Sequence, residues 1–361
     1  MYKFFDSHLH YSLENSLKDT VKLFKKEFEM VNMSKMAFLS LPHVNHQGTM
    51  SFDHLQNIKG LYLKYKFSPN AYAYAGLEHS QTEINANEKS KLYLSQVEEY
   101  FSNGYDGLKM LEGYPFLRKF MDIPLNDNVY ERFYSFMEEN QIPITMHIAN
   151  PVENWDISKV DAYALKMGRY CDSSYPTKQQ LHDEVNSIMD KHPKLKLTLA
   201  HFGFLTYDIN QAKKFLDDYP NTMLDTTPGG EQYFNMLEKW DEWHRFFEDY
   251  QDRIVYGTDF YAIPPVVSDE EWTEAVYSRT NFVKNFFTTN TEHVYAKQKY
   301  KGINLESNIL RKIFYDNAQK LLGEPKKINQ TYMIEKANKL LASEKDESLR
   351  QDILEILNNI K

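Results

Sequence analysis

The sequence predicts an α/β fold, a (β/α)₈ TIM barrel with extra C-terminal helices. Eight short apolar segments with strand character alternate with amphipathic helical segments, a pattern that gives a parallel sheet with helices outside it. Eight such units close a barrel. The doubly wound alternative usually carries a glycine-rich phosphate loop after its first strand, whereas residues 8–12 contain no glycine.

The first half of the chain supplies four strand–helix units. The strands are predicted at residues 3–11, 36–41, 71–77 and 107–111, and the helices at about 14–32, 52–66, 88–103 and 126–139. Pro42 ends the second strand because proline has no backbone N–H to donate. Gly104 follows the third helix as a C-terminal cap, and Asn126 or Asp127 caps the start of the fourth.

The second half of the chain supplies the other four units. The strands are predicted at residues 143–148, 196–202, 222–226 and 253–258, and the helices at about 178–191, 208–218, 231–250 and 269–287. An irregular insertion, residues 150–176, follows the fifth strand and contains Trp155 and Tyr163. It is either a lid over the carboxyl ends of the strands or a surface excursion.

A helical extension follows the eighth unit. After a polar stretch, residues 288–304, the pattern predicts a helix at 305–322 that Gly323 ends, and then two helices within 329–360. The predicted domains are a catalytic barrel, residues 1–323, and a helical extension packed on the barrel or on a partner subunit, residues 324–361.

Charge and composition exclude several classes of protein. The chain has 361 residues and a net charge of −9 with both signs interspersed, so we expect no nucleic-acid partner. No apolar run approaches the ~20 residues of a membrane span. The single cysteine, Cys171, excludes a disulfide framework and a cysteine-rich zinc module. With no signal-peptide pattern, these features predict a cytoplasmic protein.

Residues able to bind a metal gather at the predicted carboxyl ends of the strands, where TIM-barrel enzymes place their active sites. His8 and His10 share one face of the first strand because side chains alternate along a strand. Singly, each candidate has an ordinary alternative role, as a core histidine, a surface lysine or a helix-capping aspartate. Together they predict one site. The set is His8, His10, Lys109, His147, His201 and Asp259.

The residue types in this set suit a catalytic divalent ion. Three neutral imidazoles and one carboxylate leave an open coordination position, and water bound there has its pKa lowered towards ~7. Such ligands suit Zn²⁺ and also Mn²⁺ or Fe²⁺, so the ligand types do not decide the metal; Zn²⁺ is the ion we favour.

Several segments resemble the amidohydrolase superfamily of metal-dependent TIM-barrel enzymes. They are residues 6–10 (DSHLH), 146–147 (MH), 200–203 (AHFG) and 256–259 (YGTD). The segment 313–323 (IFYDNAQKLLG) resembles the closing helix of the amidohydrolase-related, or amidohydrolase 2, branch, which holds hydrolases, decarboxylases and hydratases. The similarity runs from the first strand to about Gly323, so the extension lies outside it.

The resemblance implies roles for the strand-end residues. His8, His10, His147 and Asp259 would bind one metal, and Asp259 and His201 would transfer protons. Lys109 would then be a cation that holds a substrate carboxylate or carbonyl. In two-metal members the equivalent lysine is carboxylated and bridges both ions, and the residue equivalent to His201 becomes a ligand. We favour one ion and keep two ions with a carboxylated Lys109 as the alternative.

The favoured function is hydrolysis of an amide, ester or lactone of a small molecule by metal-activated water. A non-oxidative decarboxylase or hydratase acting on a small carboxylic acid is the alternative, and a binding protein with a structural metal is a third hypothesis. The chain acts alone or as a homo-oligomer. Further candidates for substrate contacts are His43, His46, His79, Glu112, Arg118 and Arg169.

Overall fold

Eight parallel strands form a nearly closed barrel, so the predicted TIM barrel is confirmed. The computed structural model describes residues 2–11, 15–41, 43–44, 50–51, 55–79, 84–160, 162–166, 168–229, 232–261 and 269–360. The barrel strands are β1 (Phe4–His10), β2 (Met33–Leu39), β3 (Ala71–Gly76), β4 (Gly107–Gly113), β5 (Ile144–Ile148), β6 (Leu197–Leu199), β7 (Thr222–Asp225) and β8 (Ile254–Val255). Each strand pairs with the next along the chain.

The barrel closes at a seam between the chain after β8 and β1. Ser7 N donates to Tyr256 O and Asp259 N donates to His8 O, both at 3.0 Å. A short strand, β9 (Phe260–Tyr261), then pairs in parallel with the end of β1. The seam therefore sets Asp259 beside the two histidines of β1.

Helices cover the outside of the barrel. They are α1 (Leu17–Met30), α2 (Leu55–Phe67), α3 (Ala86–Ser102), α4 (Pro115–Met121), α5 (Glu131–Glu139), α6 (Ala162–Lys166), α7 (Lys178–Lys191), α8 (Ile209–Asp218), α9 (Gln232–Asn235), α10 (Trp240–Asp249), α11 (Asp269–Thr288), α12 (Ser307–Arg311), α13 (Asn317–Leu322), α14 (Gln330–Ser343) and α15 (Glu347–Asn359). In the described part of the chain, no helix combines the length and apolar character that crossing a bilayer demands.

The structure differs from the sequence-based elements at several points. The sixth strand ends at Leu199 because Ala200–Phe204 turns into a 3₁₀ segment with left-handed backbone. The polar stretch after α11 contains an antiparallel hairpin, Glu292–Tyr295 with Gln298–Lys301. Between α12 and α13 the turn Lys312–Asp316 is π-helical, and its Ile313 carbonyl accepts from Tyr256 N at 3.0 Å. This contact joins the closing helix to the seam.

Aromatic and aliphatic side chains fill the amino-terminal end of the barrel. Phe5, Tyr72 and Met223 belong to one buried cluster although they come from β1, β3 and β7, so their side chains meet inside the barrel. Ala318 of α13 packs against the same cluster. The polar residues at the carboxyl ends of the strands thus lie above a packed hydrophobic cluster.

The C-terminal helices pack against the barrel helices. Lys59 Nζ of α2 and Asp352 Oδ2 of α15 form a buried ion pair at 2.7 Å, and Leu17 N donates to Asp352 Oδ1 at 2.6 Å. Tyr332 OH of α14 donates to Glu99 Oε1 of α3 at 2.7 Å. The division of the chain after residue 323 stays a prediction.

Candidate metal centre

Three of the predicted ligands converge at the barrel seam. His8 Nε2 lies 3.0 Å from His10 Nε2, and Asp259 Oδ1 lies 3.4 Å from His10 Nε2 and 3.9 Å from His8 Nε2. Among the described residues, these three form the group whose ligand atoms all lie within 4.8 Å of one another. The two histidines are buried, and the side chain of Asp259 is 24% exposed. The cluster therefore has one side open to the surface.

The hydrogen bonds of the two rings fix their tautomers. His8 Nδ1 lies 2.7 Å from Asp225 Oδ2, and His10 Nδ1 lies 2.8 Å from Leu39 O. Both partners are acceptors, so each Nδ1 carries the hydrogen and each Nε2 presents its lone pair to the cluster. Burial lowers the pKa of both imidazoles well below the usual value, so neither ring is protonated near neutral pH.

Two imidazole lone pairs 3.0 Å apart repel each other unless they share a cation. The facing carboxylate of Asp259 adds a third donor of the type that divalent ions accept. The donor set and its orientation therefore fit a bound divalent metal.

Lys109 of β4 is buried beside this cluster. Its Nζ lies 3.0 Å from His8 Nε2. Burial lowers the pKa of Lys109 to about 8, although the charges of Asp225 and Asp259 partly oppose this shift. The side chain is close enough to act as a cation beside one ion, or to join a second ion after carboxylation, and both readings remain predictions.

His147 of β5 adjoins the cluster, but its ring is turned aside. Its Nε2 lies 3.1 Å from the carbonyl oxygen of Ala149, which can only accept. The ring packs edge-on against Tyr114 and lies 4.9 Å, between centroids, from the ring of His201. Burial lowers the pKa of His147 to about 3. Its assignment as a metal ligand stays a prediction.

His201 stands in a strained left-handed segment. Its φ is 55°, and Phe202 and Gly203 follow with φ of 54° and 60°. The ring Nδ1 lies 3.1 Å from Thr227 Oγ1 and 3.3 Å from Thr227 O. The hydroxyl of Thr227 donates to Asp225 Oδ1, so both of its oxygens accept from His201 Nδ1 and the lone pair lies on Nε2. His201 is thus set up to accept a proton.

Two glycines leave the space that the histidines occupy. A Cβ at Gly257 would lie 2.9 Å from His8 Cβ, and a Cβ at Gly229 would lie 2.8 Å from His201 Cβ. Real Cβ atoms do not approach that closely, so any larger residue at these positions displaces a histidine of the site.

Asp225 and Arg279 belong to the site and were missed in the sequence. Asp225 ends β7, and the strand-end rule used for the other residues could have found it. Arg279 comes from α11 and donates from Nη2 to Asp259 Oδ2 at 3.1 Å and from Nε to Thr258 O at 2.5 Å. Burial raises the pKa of Asp259 to about 6, and the Arg279 and Lys109 charges oppose that rise.

Two of the predicted substrate-contact residues form a buried dyad. His79 Nε2 lies 2.9 Å from Glu112 Oε1, and His79 Nδ1 lies 2.9 Å from Tyr93 OH of α3. Tyr93 places one side of the dyad against α3, and the charge of Glu112 raises the pKa of Lys109, so the other side lies near that lysine on β4. The dyad therefore lies between β4 and α3.

Of the other predicted substrate contacts, one lies near the cluster, one lies in a separate cleft, and two fall outside the described region. Arg118 forms a two-pronged ion pair with Glu184, with Nη2 to Oε1 at 3.0 Å, in a separate polar cleft of about 640 Å³. The charge of Arg169 lowers the pKa of Asp259, so this residue faces the site. His46 and the side chain of His43 lie outside the described residues.

Comparison with known proteins places this fold among amidohydrolases. A family model described as amidohydrolase, that of the amidohydrolase 2 family, matches residues 104–323. No curated protein matches the chain. The solved structures it resembles include an uncharacterised TIM-barrel protein from Bordetella bronchiseptica, with 12% identity, TM-score 0.55, and coverage of 89% of this chain and 98% of that one.

Two further similar structures are enzymes. One is a 4-oxalomesaconate hydratase from Rhodopseudomonas palustris, with 15% identity, TM-score 0.53, and coverage of 94% of this chain and 98% of that one. The other is a 2,6-dihydroxybenzoate decarboxylase complexed with 2,6-dihydroxybenzoate, with 14% identity, TM-score 0.52, and coverage of 89% and 99%. At these identities the likeness shows the barrel fold.

The family match and the site agree with each other. The matched segment, residues 104–323, is more than half of the chain and includes Lys109, His147, His201 and Asp259. The chain belongs to the amidohydrolase 2 family of metal-dependent TIM-barrel enzymes.

Proposed function

We propose that this enzyme hydrolyses an amide, ester or lactone of a small molecule with a divalent ion held by His8, His10 and Asp259. The observation that carries the proposal is the pair of imidazole Nε2 lone pairs, 3.0 Å apart and facing one carboxylate. His147 is the proposed fourth ligand, once its ring leaves Ala149. Zn²⁺ suits these ligands best, with Mn²⁺ or Fe²⁺ as alternatives.

His8, His10 and Asp259 would hold a divalent ion, which would supply Lewis acidity towards a substrate carbonyl. The protein residues around it do the rest. His201 Nε2 accepts a proton from water and returns it to the leaving group. Arg279 holds the carboxylate of Asp259 in place, and the Lys109 ammonium stabilises negative charge that develops on the substrate oxygen.

A second candidate is a non-oxidative decarboxylase or hydratase of a small carboxylic acid. Cationic side chains favour it, because the charges of Lys109, Arg279 and Arg169 all lower the pKa of Asp259 and therefore lie near it. Together with a divalent ion they leave the pocket positive, which suits a carboxylate substrate. Two structures with this fold, a 4-oxalomesaconate hydratase and a 2,6-dihydroxybenzoate decarboxylase, are named for such substrates.

The two candidates are separated by a substrate panel. The purified enzyme is loaded in turn with Zn²⁺, Mn²⁺ and Fe²⁺ and given esters, lactones, amides and aromatic carboxylates. Acid release without CO₂ indicates hydrolysis, and CO₂ release from an aromatic carboxylate indicates a decarboxylase. An unsaturated carboxylate is added to the panel, and loss of its double-bond absorbance indicates a hydratase. A metal-loaded protein that turns over none of these classes would contradict both and favour a binding protein.

Two variants connect the activity to the site. His10→Ala should lose bound metal and activity together, whereas His201→Ala should keep its metal and lose about 10²- to 10⁴-fold in kcat, the range for general acid–base catalysis. His244→Ala is the control, since His244 lies on α10 beside Glu248 at 3.6 Å. Full activity in His10→Ala would refute the proposed site.

A further inference from the structure

The carboxylate of Asp225 touches both functional halves of the site. Its Oδ2 accepts from His8 Nδ1 at 2.7 Å, and its Oδ1 accepts from His201 N at 2.8 Å. Thr227 adds two more donors to Oδ1, its backbone N at 3.1 Å and its hydroxyl. Asp225 is fully buried, so these donors replace the water that its charge has lost.

The contact with His8 acts on the proposed ligand atom. A carboxylate on Nδ1 holds the hydrogen there, fixes the plane of the ring and makes Nε2 a stronger donor to a cation. The backbone N–H of His8 is held separately by Asp6 Oδ1 at 3.1 Å. Asp225 therefore governs the orientation of the ring and its tautomer.

The contacts with His201 act on the proposed proton acceptor. A left-handed backbone is unfavourable for residues with a Cβ, and His201 adopts φ 55°. The bond from His201 N to Asp225 Oδ1 helps to hold this turn. Because the Thr227 hydroxyl donates its hydrogen to Asp225, the hydroxyl oxygen must accept from His201 Nδ1. The same carboxylate thus orients the Thr227 hydroxyl, whose oxygen acts with the Thr227 carbonyl oxygen to hold the hydrogen on His201 Nδ1.

We propose that Asp225 is a positioning residue that aligns the metal-binding ring of His8 and the proton-accepting ring of His201 through one carboxylate. Metal affinity and proton transfer then depend on a single buried side chain. The inference rests on the proposed metal-dependent function, and its first readout is independent of activity.

Asp225→Asn is the sharpest perturbation, because the amide keeps the shape and loses one acceptor. If its NH₂ replaces Oδ1, it meets three donors, from His201 and Thr227; if it replaces Oδ2, it meets only His8 Nδ1. The NH₂ should therefore face His8 and move its hydrogen to Nε2. We expect Zn²⁺ affinity, measured by competition with a chelator, to fall about 10- to 100-fold.

The tautomer of His8 is read directly by ¹⁵N NMR of imidazole nitrogens in the metal-free protein. Hydrogen on Nδ1 in the wild type and on Nε2 in Asp225→Asn supports the inference. A folded Asp225→Asn with unchanged tautomer and unchanged Zn²⁺ affinity overturns it. A wild-type protein that binds no Zn²⁺ would refute the proposed function instead. The NMR measurement would still test whether Asp225 sets the tautomer of His8.

Thr227→Val and Thr227→Ser test the second arm without touching His8. Valine removes the nearer of the two Thr227 oxygens that accept from His201 Nδ1 and leaves the carbonyl oxygen at 3.3 Å. It also leaves the bond between Asp225 and His8, so Zn²⁺ affinity should hold while the pH profile of kcat changes. Serine restores the hydroxyl and should restore the profile. An unchanged pH profile in Thr227→Val overturns the proposed link between Asp225 and His201. This test remains valid if Asp225→Asn does not fold.

Discussion

Asp352 ties the C-terminal extension to the barrel through a buried charge. The Lys59 and Asp352 side chains are 0% and 4% exposed, and their charged atoms lie 2.7 Å apart. Asp352→Ala leaves the Lys59 ammonium buried without its carboxylate, a change that costs about 3–5 kcal/mol in other proteins. It also removes the acceptor of Leu17 N, for which the cost is about 1 kcal/mol.

Urea unfolding measures this loss as a fall in the free energy of unfolding. The double variant Lys59→Met with Asp352→Leu should recover most of it, because an apolar pair often replaces a buried ion pair at little cost. Asp218→Ala is the control, since its pair with Lys214 is exposed and should contribute nothing measurable. A loss below about 1 kcal/mol for Asp352→Ala would refute the reasoning, because it would mean that Lys59 is not held by this carboxylate.

Three further predictions concern the site and the core beneath it. Arg279→Met removes the first of the charges that lower the pKa of Asp259, so this pKa, about 6 in the metal-free protein, should rise in a ¹³C NMR titration of the carboxyl carbon; an unmoved pKa would count against this contact. Gly257→Ala places a Cβ 2.9 Å from His8 Cβ and should weaken Zn²⁺ binding at least about 10-fold in a chelator titration, whereas unchanged binding would show that His8 is free to shift. Glu27 is buried, neither of its carboxylate oxygens has a partner among the described residues, and burial raises its pKa well above 4.5, so it is protonated when folded. The stability that this carboxyl group contributes is complete below pH 4.5 and is lost as pH rises towards its raised pKa. Glu27→Gln should therefore gain in free energy of unfolding relative to wild type as pH rises above 4.5, and a difference independent of pH would contradict the raised pKa.

The predicted part of the site came from two simple periodicities. Alternation along a strand gave His8 and His10 a common face, and the alternation of strands with helices brought the strand ends together. Asp259 lies beside these two histidines because the barrel closes between β1 and the chain that follows β8. Asp225 obeys the same rule, but its carboxylate contacts the Nδ1 atom of His8 and the backbone of His201, and such contacts are not part of a metal-ligand pattern.

Other features depend on tertiary contacts that no local pattern encodes. Arg279 reaches Asp259 from a helix, and nothing in the sequence of α11 marks that residue among its polar neighbours. The strand pattern gave His147 a face but not a rotamer, and its ring donates to Ala149. The apolar segment predicted as a strand through residue 202 leaves the sheet after Leu199, because Asp225 and Thr227 bind the backbone and ring of His201.

The metal cluster is tested most directly by anomalous scattering. Crystals of the protein soaked in Zn²⁺ and measured at the zinc edge should show a peak in contact with His8 Nε2, His10 Nε2 and a carboxylate oxygen of Asp259. A second peak beside Lys109 would show that the site binds two ions. Data in which that position is empty, while zinc binds elsewhere or not at all, would contradict the account.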